Sequence, residues 1–180
     1  MIEREEAYKL LKQYVSQDNT IHHMLSVESI MRYLSVKLGE DEELWGVTGL
    51  LHDLDLEIVS DNLDRHAYAT VEILGESLPM EAKQAIIVHA LHEEPQTRFD
   101  WALYCADPVS GLITAGVLTH PSKDIKQFTL KSLKKRFKDK RFAMGANREQ
   151  IASCVNLGIG LDEFLELSLN AMQQVEFSNK

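Results

Sequence analysis

The sequence predicts an all-α protein: a single compact bundle of about eight or nine helices spanning residues 1–180 as one domain. Two observations carry this. Gly and Pro together number 13 of 180 residues, below average usage, so breakers are scarce. No segment alternates apolar and polar residues for the length of a strand. A chain of 180 residues with 44% hydrophobic content buries roughly 70% of the surface its unfolded form exposes, enough for a full core without disulfides.

The predicted helices follow in order. The first runs over 3–16 from an acidic start, Met1-Ile-Glu-Arg-Glu-Glu. The second, 20–38, places Val27, Ile30 and Leu34 on the face of His23 and turns His22 outward with Ser26, Ser29 and Tyr33. Gly39-Glu40-Asp41 ends it. The third, 41–53, carries Gly46 and Gly49, small enough for close helix packing, and closes on Leu50-Leu-His52-Asp53-Leu-Asp55. After the break at Ser60-Asp-Asn, a helix over 64–77 holds His66 in its first turn, with Thr70 and Ile73 on its face. Pro79 suits the first turn of the next, 79–92, where His89 stands above Ala82, Ala85 and Ile86 and His92 follows one turn on. The most apolar helix, 99–118, contains Asp107 followed by Pro108, which removes a helical bond and is expected to kink it. Two more run over 125–137 and 147–157, the latter capped by Asn147 with Gln150 completing a capping-box variant. Gly158-Ile-Gly160 precedes the last, 161–176, whose Leu161, Phe164, Leu165, Leu167, Leu169, Met172 and Val175 lie on more than one face. Either its own domain covers them or a homodimer does.

The formal charge is −9, and it is unevenly spread. Residues 123–141 hold nine basic side chains and two acidic ones, a local +7 against −16 for the rest. This is either a solvated face balancing an acidic body or an electropositive wall for a phosphorylated ligand. Nucleic acid is the less favoured partner, because the acidic remainder repels a polyanion. The acidic N-terminus lacks the features of an export signal, and no run reaches the roughly 18 apolar residues of a membrane span. With only Cys105 and Cys154, the expectation is a cytoplasmic protein with reduced thiols and no membrane partner.

Six polar residues from five predicted helices point inward: His23, His52, Asp53, His66, His89 and Asp107. An isolated inward histidine is commonly a hydrogen-bonded core residue. Buried carboxylates beside imidazoles, however, are costly unless something positive neutralises them, and a metal ion does so. Either a metal holds the set together or its members bond one another.

The order His, His-Asp, Asp, with further histidines between the pair and the last Asp, resembles the HD-domain superfamily of metal-dependent phosphohydrolases. Ile21-His-His-Met-Leu-Ser-Val-Glu, Leu-Leu-His-Asp-Leu-Asp-Leu-Glu57, Ser110-Gly-Leu-Ile, and Pro121-Ser-Lys through Phe-Lys-Asp-Lys140 to Asn147-Arg-Glu-Gln look like a bacterial subgroup of about this length. The resemblance implies one metal on His23, His52, Asp53 and Asp107, and a second completed by His66 and His89, with His92 as a competitor of His89. Asp53 bridges, and Asp53 and His52 stand at the catalytic centre. Mixed imidazole and carboxylate ligands suit Mn, Fe, Co, Ni or Zn. Asp55 either holds a ligand imidazole from behind or is a helix-end carboxylate, and His22 and His120 are surface residues. The implied activity is hydrolysis of a small, nucleotide-like phosphomonoester or phosphodiester by a metal-activated water. Alternatives are a di-iron oxygenase on the same ligands, or a non-catalytic nucleotide- or partner-binding module with a structural metal. The glycine and lysine that follow the central pair in many such hydrolases are absent, since Leu54 and Asp55 stand there. Phosphate contacts are therefore expected from Lys123, Lys131, Lys134 and Arg148.

Overall fold

The computed structural model describes residues 1–60 and 62–175, and every regular element among them is helical. In order these are α1 (Arg4–Tyr14), α2 (Asp18–Leu38), α3 (Glu42–Leu51), α4 (Leu56–Val59), α5 (Tyr68–Leu74), α6 (Met80–His89), α7 (Arg98–Leu118), α8 (Leu130–Lys138), α9 (Arg148–Ala152) and α10 (Leu161–Gln173). Short 3-10 turns lie at Leu63–Arg65, Ile125–Gln127 and Ser153–Leu157. Asp61 of the predicted break and residue 176 of the predicted last helix lie outside the described residues.

The two 21-residue helices, α2 and α7, organise the bundle. α2 packs on α3, α7 and α10, and α7 also meets α6, α8 and α9. The α2–α3 contact is close because α3 turns glycines toward α2: a Cβ on Gly49 would lie 3.0 Å from the Val27 carbonyl oxygen, and one on Gly46 2.5 Å from Arg32 Nε. Arg32 uses that space to bond Glu28 (3.0 Å) and Glu43 (2.7 Å). Arg4 of α1 reaches the same buried Glu28 at 2.7 Å, so Glu28 and Arg32 of α2 together link α1 and α3.

Boundaries follow local chemistry. Gly39 (φ 73°) ends α2 in the left-handed region. The Asp41 carboxylate caps α3 by accepting from Leu44 N at 2.9 Å. Thr97 and Asp100 form a reciprocal capping box on α7, and Asn147 accepts from Glu149 and Gln150 at the start of α9. α7 runs without interruption through Pro108. It is long and apolar enough to cross a membrane by length and composition, which counting uninterrupted apolar runs overlooks, yet more than half of it is buried in the bundle. Gly116 leaves room for the Phe128 ring, which a Cβ would meet at 2.6 Å. Of the apolar residues of the last helix and its end, Phe164, Leu165, Leu169 and Met172 are buried in the chain's own core, and Leu161, Leu167 and Val175 are half-buried.

Three predicted helices are corrected. That over 125–137 is a 3-10 turn at Ile125–Gln127, extended backbone at Phe128 and Thr129, and then α8 from Leu130. The one over 64–77 is broken: a 3-10 turn ends at Arg65, Ala67 takes φ 66°, and α5 begins only at Tyr68. His66 therefore sits in the link. The one over 79–92 stops at His89, where Leu91 (φ 67°) reverses the chain and leaves His92 outside.

Candidate metal centre

Asp53 is the hub of the inward cluster. It lies just past α3, in a turn that brings it to His23 from α2, His66 from the link before α5, His89 from the end of α6 and Asp107 from mid-α7. Its two carboxylate oxygens divide the neighbours. Oδ2 faces His52 Nε2 (3.3 Å) and His23 Nε2 (3.4 Å), whereas Oδ1 faces His89 Nε2 (3.2 Å) and His66 Nε2 (3.4 Å). Asp107 Oδ1 joins the first group, 3.1 Å from His23 Nε2 and 3.9 Å from His52 Nε2. All six inward residues are thus brought together as two half-sites sharing one carboxylate.

The rings are oriented from behind. His52 Nδ1 lies 2.8 Å from the Gly49 carbonyl, and His89 Nδ1 bonds the Ile86 carbonyl, each three residues back. His66 Nδ1 lies 2.8 Å from Asp55 Oδ1. The Asp55 carboxylate is itself fixed, because its Oδ2 accepts from Thr70 N while its own N–H donates to Thr70 Oγ1, both at 3.1 Å. His23 Nδ1 lies 2.9 Å from Ser110 Oγ, whose hydroxyl donates to the Asp107 carbonyl at 2.8 Å and so accepts from the ring. In every case an acceptor engages Nδ1–H and Nε2 is turned to the centre. That is the tautomer and the second layer of contacts a metal-ligating histidine requires.

Electrostatics agree with this donor set. Burial opposes ionisation of Asp53, but the charge of His52 and hydrogen bonds from His23, His52 and His89 hold its carboxyl well below the usual range. Asp107 is likewise lowered against its burial, chiefly by His23. Burial disfavours the His23 imidazolium, yet bonds and charge from Asp107 and Asp53 raise its pKa to about 10. His89 is raised for the same reason, with Asp53 as partner. Two ionised carboxylates among four imidazoles, with no Lys or Arg bonded to them among the described residues, form a site that accepts a divalent ion in place of those protons. Groups of potential ligand atoms, His23 with His52 and Asp107, and His52 with Asp53 and His89, lie within 4.8 Å of one another.

The centre is closed on one side and open on the other. His52, Asp53 and His89 are buried, whereas the side chains of His23 and Asp107 are 24% and 30% exposed. His23 lines a cavity of about 1080 Å³ between α2, α7, the 3-10 turn at Ile125–Gln127 and the end of α10. Val117, Leu118, Ile125 and Met172 supply apolar wall, and His22, Lys123 and Lys126 polar lining. The Gln173 amide donates to the Ile125 carbonyl at 2.9 Å, tying the turn to α10.

Of the residues expected at phosphate, Lys123 alone reaches this cavity. Lys131 and Lys134 line a separate shallow groove on α8, where Lys134 Nζ pairs with Asp162 at 2.6 Å. The Arg148 guanidinium does not serve an external anion. It donates to the carbonyls of Arg136, Phe137, Asp139, Phe142, Ala143 and Ala146, closing the loop after α8. His92 does not compete with His89, since its Nε2 lies 2.8 Å from the His66 carbonyl. His120 bonds Ser122 away from the cluster.

Sequence reasoning did not single out Ser110, Thr70, His92, Lys126 or Gln173 for these roles. Ser110 had a readable signal, standing three residues beyond Asp107 on the same helix face. The others act across contacts between distant segments and carry no local pattern.

A family model described as HD domain matches residues 20–140, which include all six clustered residues. Ribonuclease Y of Sulfurovum sp. (strain NBC37-1) is 27% identical over 135 residues, covering 73% of this chain and 26% of that protein. The chain thus spans about a quarter of the length of this curated relative. No solved structure matches.

Proposed function

The chain belongs to the HD-domain family, and on that premise we propose that it is a metal-dependent phosphohydrolase cleaving a nucleotide-like phosphate ester. The division of the Asp53 oxygens between two histidine sets carries this reading. Divalent metal would be held by His23, His52, Asp53 and Asp107, with His66 and His89 as the further ligands on the other side of Asp53. Imidazole-rich ligation favours Mn, Fe, Co, Ni or Zn over Mg. A divalent ion held there supplies activation of water near neutral pH and stabilisation of charge on the phosphoryl oxygens.

The chain's own groups do the rest. Asp53, ionised and central, orients the attacking water toward phosphorus. His52, fixed through Gly49, keeps that carboxylate in register. His23 and Asp107 form the rim where the ester arrives from the cavity, with Ser110 preventing the His23 ring from turning. Lys123 places a cation on the cavity wall for a phosphoryl oxygen, and the apolar wall opposite accepts the non-phosphate part of the ester. Two buried, unbridged cysteines fit a cytoplasmic, reducing setting.

The test is phosphate or nucleotide release from a panel of mono- and diesters, with protein loaded separately with Mn, Co, Ni and Fe and Asp53→Ala as control. The relative's name extends the panel to RNA. Release that disappears in the control supports the reading. Silence across the panel sinks it and favours the oxygenase or binding-module alternative.

A further inference from the structure

Cationic side chains differ in what they bind, and among the described residues outside the segment 123–141 only Lys9 and Lys12 of α1 make no ion pair or backbone bond. Arg4, Arg32, Lys37, Arg65 and Arg98 each pair with a carboxylate, and Arg148 and Lys83 are spent on backbone carbonyls. Between residues 123 and 141 Lys134 alone makes an ion pair among the described residues. Lys123, Lys126, Lys131, Lys135 and Lys138 make none, in a chain of net charge −9 with acidic groups to spare.

Their placement is ordered. Lys131, Lys134, Lys135 and Lys138 stand at i, i+3, i+4 and i+7, hence on one face of α8, while Leu133 anchors the opposite face in the core. These four and Leu130 line a groove of about 500 Å³. Along the helix axis Lys131 and Lys138 are about 10 Å apart. Lys126, on the cavity wall beside His23, precedes Lys131 by five residues, so their Cα atoms are at most about 18 Å apart. The cavity can hold one nucleotide, with its base against Val117, Leu118, Ile125 and Met172. A mononucleotide leaves the α8 lysines with nothing to bind.

We propose that the lysine face of α8 binds the phosphodiester backbone of a single-stranded oligonucleotide whose terminal nucleotide occupies the cavity beside His23. This deepens, and rests on, the phosphate-ester reading of that site. A chain of phosphates matches both the spaced cations and the phosphoryl chemistry at the cluster, and a base accounts for the apolar wall. An acidic peptide matches the lysines alone.

The experiment is fluorescence anisotropy with a labelled oligouridylate of about ten nucleotides, using the full chain in chelator so that nothing is cleaved. With three to five phosphates neutralised, log K falls against log salt with a slope of about −2 to −3.5. Combining Lys131→Ala, Lys135→Ala and Lys138→Ala weakens binding at least tenfold and flattens the slope by about 2, while circular dichroism is unchanged because alanine favours helix. The corresponding Lys→Arg combination keeps the affinity. Absence of binding at low salt, equal affinity of the alanine variant, or equal displacement by polyglutamate or polyphosphate overturns the proposal. Binding is read without turnover, so a chain that binds but cleaves no ester sinks the hydrolase reading alone. One that cleaves small esters but does not bind sinks only this proposal.

Discussion

His92 shows how a residue outside the cluster controls it. Its Nε2 bonds the His66 carbonyl at 2.8 Å, and its ring lies 4.6 Å from that of Tyr68 at the start of α5. On either side of this contact two non-glycine residues adopt left-handed backbone, Ala67 at φ 66° and Leu91 at φ 67°. Each such residue costs about 1–3 kcal/mol and persists only where its surroundings hold it. His92 is the clamp between the two strained links, which carry His66 and follow His89. Replacing it with alanine is expected to weaken one bound metal equivalent by about 10–100-fold, the range for contacts behind a ligand, and to spare the equivalent on His23, His52 and Asp107. Equilibrium dialysis against Mn or Co measures this. His92→Gln, which retains an N–H donor, should recover much of the loss. Unchanged affinity for both equivalents in His92→Ala would rule out the clamp.

At the scale of elements, the cluster depends on how closely α3 lies on α2, since one carries His23 and the other delivers His52 and Asp53. Gly49 sets that distance. An added methyl there meets backbone, the Val27 carbonyl oxygen at 3.0 Å and Glu28 Cα at 3.1 Å, and neither can rotate away. Alanine gains about 0.5–1 kcal/mol of helix preference but is overpacked by about 1–3 kcal/mol. Gly49→Ala is therefore expected to lower Tm by several degrees and also to weaken metal binding. Arg148 offers the contrasting case. Its contacts with six carbonyls hold the loop after α8, so Arg148→Met should cost about 2–3 kcal/mol in denaturant unfolding. Its KM for any ester should stay unchanged, whereas a rise in KM would return Arg148 to the phosphate site.

Over the whole molecule, the inward cluster was legible because His23, His89 and Asp107 sit at helical spacing among apolar residues, where a polar side chain stands out, and His52 and Asp53 close an apolar helix, whereas His66 lies in the link before α5. The basic segment was legible only as a charge. Surface lysines have no packing pattern, so nothing in the sequence separates Lys123 on the cavity wall from Lys131 on α8 or from Arg148 beneath its loop. The broken helix at Ala67 was hidden because contacts from Asp55 and His92, rather than local propensity, fix that backbone. The core as a unit can be probed through its thiols. Cys105 on α7 and Cys154 near α9 are fully buried and unbridged. Burial raises both thiols, Cys154 to about 11, so at pH 8 only about one Cys154 in a thousand is the reactive thiolate. Alkylation of the native chain should therefore be slow and report openings of the bundle. A metal that binds the folded cluster and not the open chain, supplied at 100 times its Kd, stabilises the fold by about 2.7 kcal/mol. Labelling with iodoacetamide should then slow by about two orders of magnitude relative to protein in chelator. Equal rates with and without metal would mean either that no metal binds the closed bundle or that these thiols are reached by an opening that leaves the cluster intact. Equilibrium dialysis of the parent against Mn or Co separates the two, because measured binding with unchanged labelling leaves only the second.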